Sequence, residues 1–349
     1  MHRPIADMGW RRLASWILGA VLLVLLVFYA GRAVITRDRG PVRLVIYAFS
    51  TQEEVLTQGI FPAFEQVWEA REGRDLSIEA VFGASGILAG QINLGAPADV
   101  ALLSNEQHVT WLKIGRRVRP ESRAVVVSAT PMVIAVRPGN PAHISEFADL
   151  ARPGLKLLHP DPRVSGAGDW AVLAEYGSAL METGDQVAAR TQLMAIWDNV
   201  RLLTPSARAT LTLFELGAGD ALVTYEQDAR LALDRAVPLE IVVPPRTIVA
   251  RHVTIIVDAN VTRAERPAAE AFIRFLLSDA GQRTFAEYHL RPAYAECDAF
   301  PPLVEPFSVD ELGGWSRAYS DLIENLWQTE IAPRLELEPA PRLPDTIGE

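Results

Sequence analysis

From Val42 onward the chain alternates short apolar, β-branched runs with longer stretches of helical spacing, and nothing else in the sequence constrains its fold as much. "VRLVIYAF" (Val42 to Phe49) predicts a buried strand, and "TQEEVLTQGIFPAFEQVWEA" has the apolar spacing of a helix. "LSIEAVFG", "SGILAGQINLG" and "ADVALLS" then read as strand, helix and strand. A β-α-β-α-β order requires a mostly parallel sheet with helices on its faces. "RAVVVSATPMVIAVRPGNP" reads as a long strand pair, and "ISEFADLARPG" as a short helix closed by Pro153-Gly154.

A second series repeats the style of the first. "LKLLHP" and "VRLLTP" are strands, "DWAVLAEYGSALMETG", "DQVAARTQLMAIWDN" and "ATLTLFELGAG" are helices, and "DALVTYEQDARLAL" is a strand running into a helix. "LEIVVPP", "VTIIVD" and the helical "AAEAFIRFLLSDAGQRTFAEY" complete a third. Two α/β lobes joined by extended crossovers, near Val125 to Val136 and near Ile241 to Ile255, fit this better than one large sheet. The expected division is residues 1–40 as membrane anchor or signal plus linker, 41–128 with 246–310 as one lobe, 129–245 as the other, and 311–349 as a C-terminal helix and tail. The terminal helix runs from Ser316 to about Ile331, stopped by Pro333.

With 349 residues, 49% of them hydrophobic, the chain can bury cores for both lobes. A formal net charge of −10 argues against a nucleic-acid partner, whose phosphates call for a basic face. Cys297 is the single cysteine, so neither an intramolecular disulfide nor a multi-cysteine metal site can form within one chain. "LASWILGAVLLVLLVFYA" (Leu13 to Ala30) is uncharged, and at about 1.5 Å per residue it just crosses a bilayer core of roughly 30 Å. It is longer than the apolar region of a cleaved signal and predicts one N-terminal transmembrane helix. Arginines on both sides leave its orientation open. With no second span evident, the rest of the chain is expected on one side of the membrane.

Three strand-to-helix turns share one chemistry. "FGASGILAG" places Ser85 and Gly86 at a helix start, "DPRVSGAGDW" does the same with Ser165, Gly166, Ala167 and Gly168, and "TPSARATL" with Ser206 and Ala207. In open parallel sheets ligands sit beyond the carboxyl ends of strands, where such loops lie. Small residues let a ligand approach the backbone, while a helix start offers unpaired N–H donors and partial positive charge. Three sets of such donors make an oxyanion site that needs no cation. The plainer explanation for each serine is a helix N-cap.

From Val42 to about Tyr319 the chain resembles the periplasmic sulfate/thiosulfate-binding proteins of ATP-driven (ABC) uptake systems, which have the two-lobed type II solute-binding fold. The resemblance is carried in order by "FGASGILAGQINLGAPADVALL", "ISEFADLARPGLKLLHPDPRVSGAGDWAVLA", "LTPSARATLTLFELGAGDALVTYEQDA", "IVVPPRTIVARHVTIIVDANV", "AEAFIRFLLSDAGQRTFAEYHLRPAY" and "FSVDELGGWSRA". It implies a dehydrated sulfate held by neutral donors: Ser85, then Ser165 with the amides of Gly166 and Ala167, then the amide of Ala207. Two departures are candidate ligand residues as well. Ser50 in "FSTQEE" stands where the family has Asp-Pro, and Tyr225 stands where it has a tryptophan whose indole reaches the ligand. The resemblance further implies a permease partner, an extracytoplasmic location and no cofactor.

Rival classes each carry a test. A G-x-S-x-G serine elbow needs glycine where Ile87 stands, and the six histidines (His2, His108, His143, His159, His252, His289) show no H-E-x-x-H pair. His159, at a strand end near Ser165, is the one to watch. An enzyme would show a base within hydrogen-bond reach of Ser85 or Ser165. A ferric-iron site would draw on Tyr225, Glu226 and Tyr47, for which core packing is the plainer role. The remaining alternative is a membrane-tethered sensor with altered ligand specificity.

Overall fold

The computed structural model describes residues 40–294 and 300–338. The apolar stretch Leu13 to Ala30 and Cys297 fall outside them; among the described residues no helix is long and apolar enough to cross a membrane.

The first half of the molecule is built on β1 (Val42–Phe49), which lies between β2 (Leu76–Gly83) and β3 (Val100–Leu103), parallel to both. A central parallel strand covered on both faces has no solvent side. Seven of the eight residues of β1 are accordingly buried. Helices α1 (Phe61–Glu72) and α2 (Ser85–Asn93) make the crossovers. The chain ahead of α1 is not regular α-helix. Ser50–Gln52 forms a tight 3-10 turn, and Val55–Ile60 winds in wide π-type turns. Pro62 offers no N–H and crowds the carbonyl four residues back, and a wide turn ahead of it relieves that clash.

A further helix, α3 (Glu106–Ile114), follows β3 and is absent from the sequence reading. The expected strand pair over residues 123–141 is instead one continuous strand, β4 (Val125–Val136). In the second half, β5 (Leu157–Pro160), α4 (Gly166–Thr183), α5 (Gln186–Trp197), β6 (Val200–Thr204), α6 (Ala207–Glu215), β7 (Ala221–Tyr225) and α7 (Glu226–Asp234) occur in the expected order. The chain returns through β8 (Glu240–Val242) and β9 (Arg246–Ile256). The expected helix at 268–288 is two, α8 (Arg266–Leu276) and α9 (Asp279–Glu287), because Ser278 caps the second by accepting from the Gly281 amide at 3.2 Å.

The strands follow the order β2-β1-β3-β9-β4-β7-β5-β6. β4 and β9 serve both halves. From Val125 to Pro131 β4 pairs with β9, and from Met132 to Val136 it pairs with β7. Pro131, which has no N–H for a ladder, stands where β4 changes partner. The expected lobe boundaries fall inside β4 and at the first residue of β9.

The terminal helix starts at Gly314, two residues earlier than expected, and continues through wide turns over Tyr319–Ile331. It joins the second half's core: Trp315 packs edge-on against Trp170 at 4.6 Å, and Trp327 against Trp197 at 5.3 Å.

Candidate functional site

Helices α2, α4 and α6 start around one small, tightly closed cavity with a volume of about 10 Å³. Ser50, Ser85, Ser165, Gly166, Ala167, Ala207 and Tyr225 all line it, joined by Thr51, Ser104 and Ser206. Gly86 is not among the lining residues, and its amide donates to the Val164 carbonyl at 3.0 Å. None of the lining side chains is Lys, Arg, Asp or Glu. The nearby cations are matched elsewhere: Arg163 pairs with Asp161, and Arg208 with Glu54.

The serines divide by role. Ser206 is an N-cap, accepting from the Ala209 amide at 3.2 Å. Ser165 occupies the N-cap position of α4, yet its hydroxyl makes no capping bond. The amides of Gly166 and Ala167, in the first turn of α4, have no carbonyl one turn back to bond. Ser85 is tied into a network. Its Oγ accepts from the Ser104 amide at 3.1 Å and lies 2.9 Å from His108 Nδ1. Ser50 starts its 3-10 turn at the cavity edge and is half-buried.

Tyr225 is 1% exposed and packs edge-on against Phe49 and His252. Burial pushes its phenol well above the ordinary range, so it stays neutral. Its hydroxyl and that of Ser104 make no hydrogen bond of normal geometry within the protein.

Contacts across the cleft define a closed form. Besides the Gly86–Val164 bond, Trp170 Nε1 donates to the Ser104 carbonyl at 2.8 Å, Asn105 Nδ2 to Asp169 Oδ2 at 3.0 Å, and Thr51 Oγ1 to Asp228 Oδ2 at 3.0 Å. Gly166 permits the approach, since a Cβ there would stand 1.7 Å from Ser104 Oγ.

The sequence reading passed over Ser104, His108 and Asp169. The first two had a signal: "LLSNEQH" at the end of β3 is a fourth strand-turn-helix junction, and Asn105 caps α3 by accepting from the His108 amide at 3.1 Å. Asp169 had none, because its partners lie on a distant segment.

His159 is fully buried, with Nε2 2.5 Å from Glu175 Oε1, while Trp197 Nε1 holds the other carboxylate oxygen at 2.7 Å. That network braces the strand end instead of serving Ser165. The iron trio does not converge either. Glu226 is taken by Arg230 and Arg291, and Tyr47 packs in a core cluster with Val45 and Leu88. Among the described residues no group of three or more His, Cys, Asp or Glu side chains could hold a metal ion.

The family model of bacterial extracellular solute-binding proteins matches residues 44–291. The chain is 32% identical over 329 residues to the sulfate-binding protein of Salmonella typhimurium, covering 89% of this chain and 96% of that protein. It is 31% identical to the thiosulfate-binding protein of Pseudomonas aeruginosa, covering 73% of this chain and 81% of the other. Among solved structures, the sulfate-binding protein SubI of Mycobacterium tuberculosis superposes with a TM-score of 0.75 at 26% identity, covering 81% of this chain and 99% of that one.

Proposed function

The chain belongs to the bacterial extracellular solute-binding proteins, and from that premise we propose that its closed cavity holds a tetrahedral oxyanion, sulfate or thiosulfate, for delivery to an ABC permease. The observation that carries the proposal is the lining itself: three helix starts meet with no charged side chain among them, and Ser165 leaves its hydroxyl out of the cap it is placed to make. In a closed cavity, neutral donors hold a full anion through charge-assisted hydrogen bonds and helix-terminal dipoles. Ser85, Ser165, Tyr225 and the amides of Gly166, Ala167 and Ala207 supply the donors, and Ser50 closes the rim. Gly86 contributes by joining the halves. A hydrogen phosphate needs an acceptor for its proton; the lining holds no carboxylate and offers only hydroxyls such as that of Tyr225, which disfavours phosphate against a fully ionised oxyanion. The protein works on the extracytoplasmic side, where Leu13 to Ala30 would tether it to the inner membrane.

The Ser85–His108 distance meets the mark set for an enzyme, but the chemistry does not follow. Burial presses His108 down to about 3, far below the range of a useful general base at neutral pH. Its Nε2 is 3.7 Å from Asp169 Oδ2, beyond hydrogen-bond length. The histidine therefore serves to orient Ser85, and we read the protein as a binder, not a catalyst.

Calorimetric titration of ligand-free protein with sulfate, thiosulfate, molybdate and phosphate tests this. Binding of sulfate or thiosulfate, weakened roughly 10- to 100-fold by Ser165→Ala, is expected from the loss of one hydrogen bond to a charged group. No heat with any of the four anions from folded protein overturns the proposal.

A further inference from the structure

Ser104 is held by its backbone on both sides of the cleft, while its side chain has no partner. Its amide donates to Ser85 Oγ at 3.1 Å in its own half, and its carbonyl accepts from Trp170 Nε1 at 2.8 Å in the other. The residue is 1% exposed and lines the cavity, yet its Oγ is buried with no hydrogen bond inside the protein. Ser85 differs in this respect. Its Oγ already meets the Ser104 amide and lies 2.9 Å from His108 Nδ1. Of these two serines, Ser104 is the one whose proton no protein group takes.

Gly166 fixes where that hydroxyl stands. A Cβ on Gly166 would lie 1.7 Å from Ser104 Oγ, so the oxygen sits against the first residue of α4, whose amide has no carbonyl one turn back to bond. Tyr225, the last residue of β7 in the second half, also lines the cavity. Its ring is set edge-on against Phe49 and His252, and its hydroxyl is buried and unpartnered like that of Ser104. The two hydroxyls are neighbours: burial raises the Tyr225 phenol, Asp228 adds to the rise, and the Ser104 hydroxyl pulls the other way. A hydroxyl has one proton to give, so two that met only each other would share one and leave the second unused. A buried donor without an acceptor is costly, and a fully ionised anion accepts from both.

We propose that Ser104 is a direct ligand of the anion, its hydroxyl and that of Tyr225 donating from opposite halves to the same bound oxyanion. The inference rests on the oxyanion reading and adds a residue that the three helix starts do not supply, since Ser104 comes from the junction of β3 and α3. It also ties the contact to closure. The Trp170 bond to the Ser104 carbonyl crosses the cleft, so the hydroxyl takes its place beside Gly166 only as the halves meet.

The test is a double-mutant cycle of Ser104→Ala and Tyr225→Phe, read by calorimetric titration with sodium sulfate and by ligand-free thermal melts. Neither change touches the backbone bonds of Ser104, and each removes a buried hydroxyl without a protein partner, so the ligand-free melting temperatures are expected unchanged or slightly higher. Sulfate affinity should fall roughly 10- to 100-fold in Ser104→Ala, the size of one hydrogen bond to a charged group, and the double variant should bind more weakly than Tyr225→Phe alone. Affinity of Ser104→Ala within about twofold of the unaltered protein's overturns this inference alone and makes the hydroxyl a bystander. A double variant no weaker than Tyr225→Phe also overturns it alone, because Ser104 then acts only through the phenol. Absence of sulfate binding by the unaltered protein overturns it together with the oxyanion reading. Should Tyr225→Phe fail to fold or to bind measurably, Ser104→Ala against the unaltered protein decides.

Discussion

At Gly166 the closed form has no room for a methyl group. A Cβ would lie 1.7 Å from Ser104 Oγ and 3.0 Å from both Ser104 Cβ and Asn105 Nδ2, so turning the serine hydroxyl aside does not clear it. The obstruction exists only across the cleft. Gly166→Ala is therefore expected to fold normally, with the ligand-free melting temperature unchanged or slightly higher because alanine suits a helix better. Sulfate should bind at least about 100-fold more weakly, on the scale set by loss of the closed form's cross-cleft bonds. Thermal melts with and without sulfate check both halves, and an undiminished ligand-induced shift would sink the idea. The sequence made the small residues of this turn legible because local backbone chemistry calls for them. It did not show why Gly166 must be glycine, since its obstacle lies 62 positions upstream at Ser104.

Among the elements, the 3-10 turn after β1 and the residues just beyond it face the starts of α6 and α7 and carry two of the polar contacts across the cleft, Thr51 to Asp228 and Glu54 to Arg208. Arg208 grips Glu54 with both guanidinium nitrogens, and the pair is only about a quarter exposed. Such a bidentate, partly shielded pair contributes roughly 1–2 kcal/mol, so Glu54→Gln should weaken sulfate binding about 5- to 30-fold without touching the ligand. Isothermal titration reads the loss, and affinity equal to the unaltered protein's would show that the pair does not bias closure. Asp228, beside it, costs the folded protein stability at neutral pH. Burial is the largest influence and raises its carboxyl to about 6, with Arg208 and Thr51 only partly pulling it back. A carboxyl raised in the folded state stabilises that state below its ordinary value near 3.8, and the benefit is lost as pH rises through about 6. Asp228→Asn removes the cost of ionisation and should raise unfolding stability at pH 7 by up to about 3 kcal/mol, the gain vanishing below about pH 4. Denaturant melts at the two pH values compare them. Elements with clean periodicity were legible: β1 and β2 occupy the expected residues. Helix α3 is less legible although Asn105 marks its cap, because the short "EQHVTWLKI" lies between two stronger strand signals. The single strand β4 looked like two because Ser128, Thr130 and Pro131 interrupt its apolar run. Those residues lie along its pairing with β9, before the partner changes.

For the whole molecule, β4 and β9 are the shared members of both halves, and they run antiparallel side by side. A hinge of two paired strands can bend where β4 changes partner while each half keeps its own core. The structure shows the closed arrangement, with the Gly86–Val164, Trp170–Ser104 and Asn105–Asp169 bonds made. In the ligand-free protein these bonds compete with hydration of the same groups, and the donors lining the cavity lack their anion. An anion that touches Ser85 on one side and Gly166, Ala167 and Ala207 on the other makes its full set of contacts only when the halves meet. A ligand shifts a two-state equilibrium by its difference in affinity for the two states, so the anion should draw the population toward the closed form. Solution scattering should show the radius of gyration contracting on addition of sulfate, toward the value calculated from this structure. Gly166→Ala should stay expanded at every sulfate concentration, and Glu54→Gln should need more sulfate to reach the same contraction. Unchanged profiles at saturating sulfate would mean that the halves are already locked without ligand. The donors would then have to be reached by a local opening of the turns instead of a hinge at β4 and β9, and the ordering of the two variants would disappear.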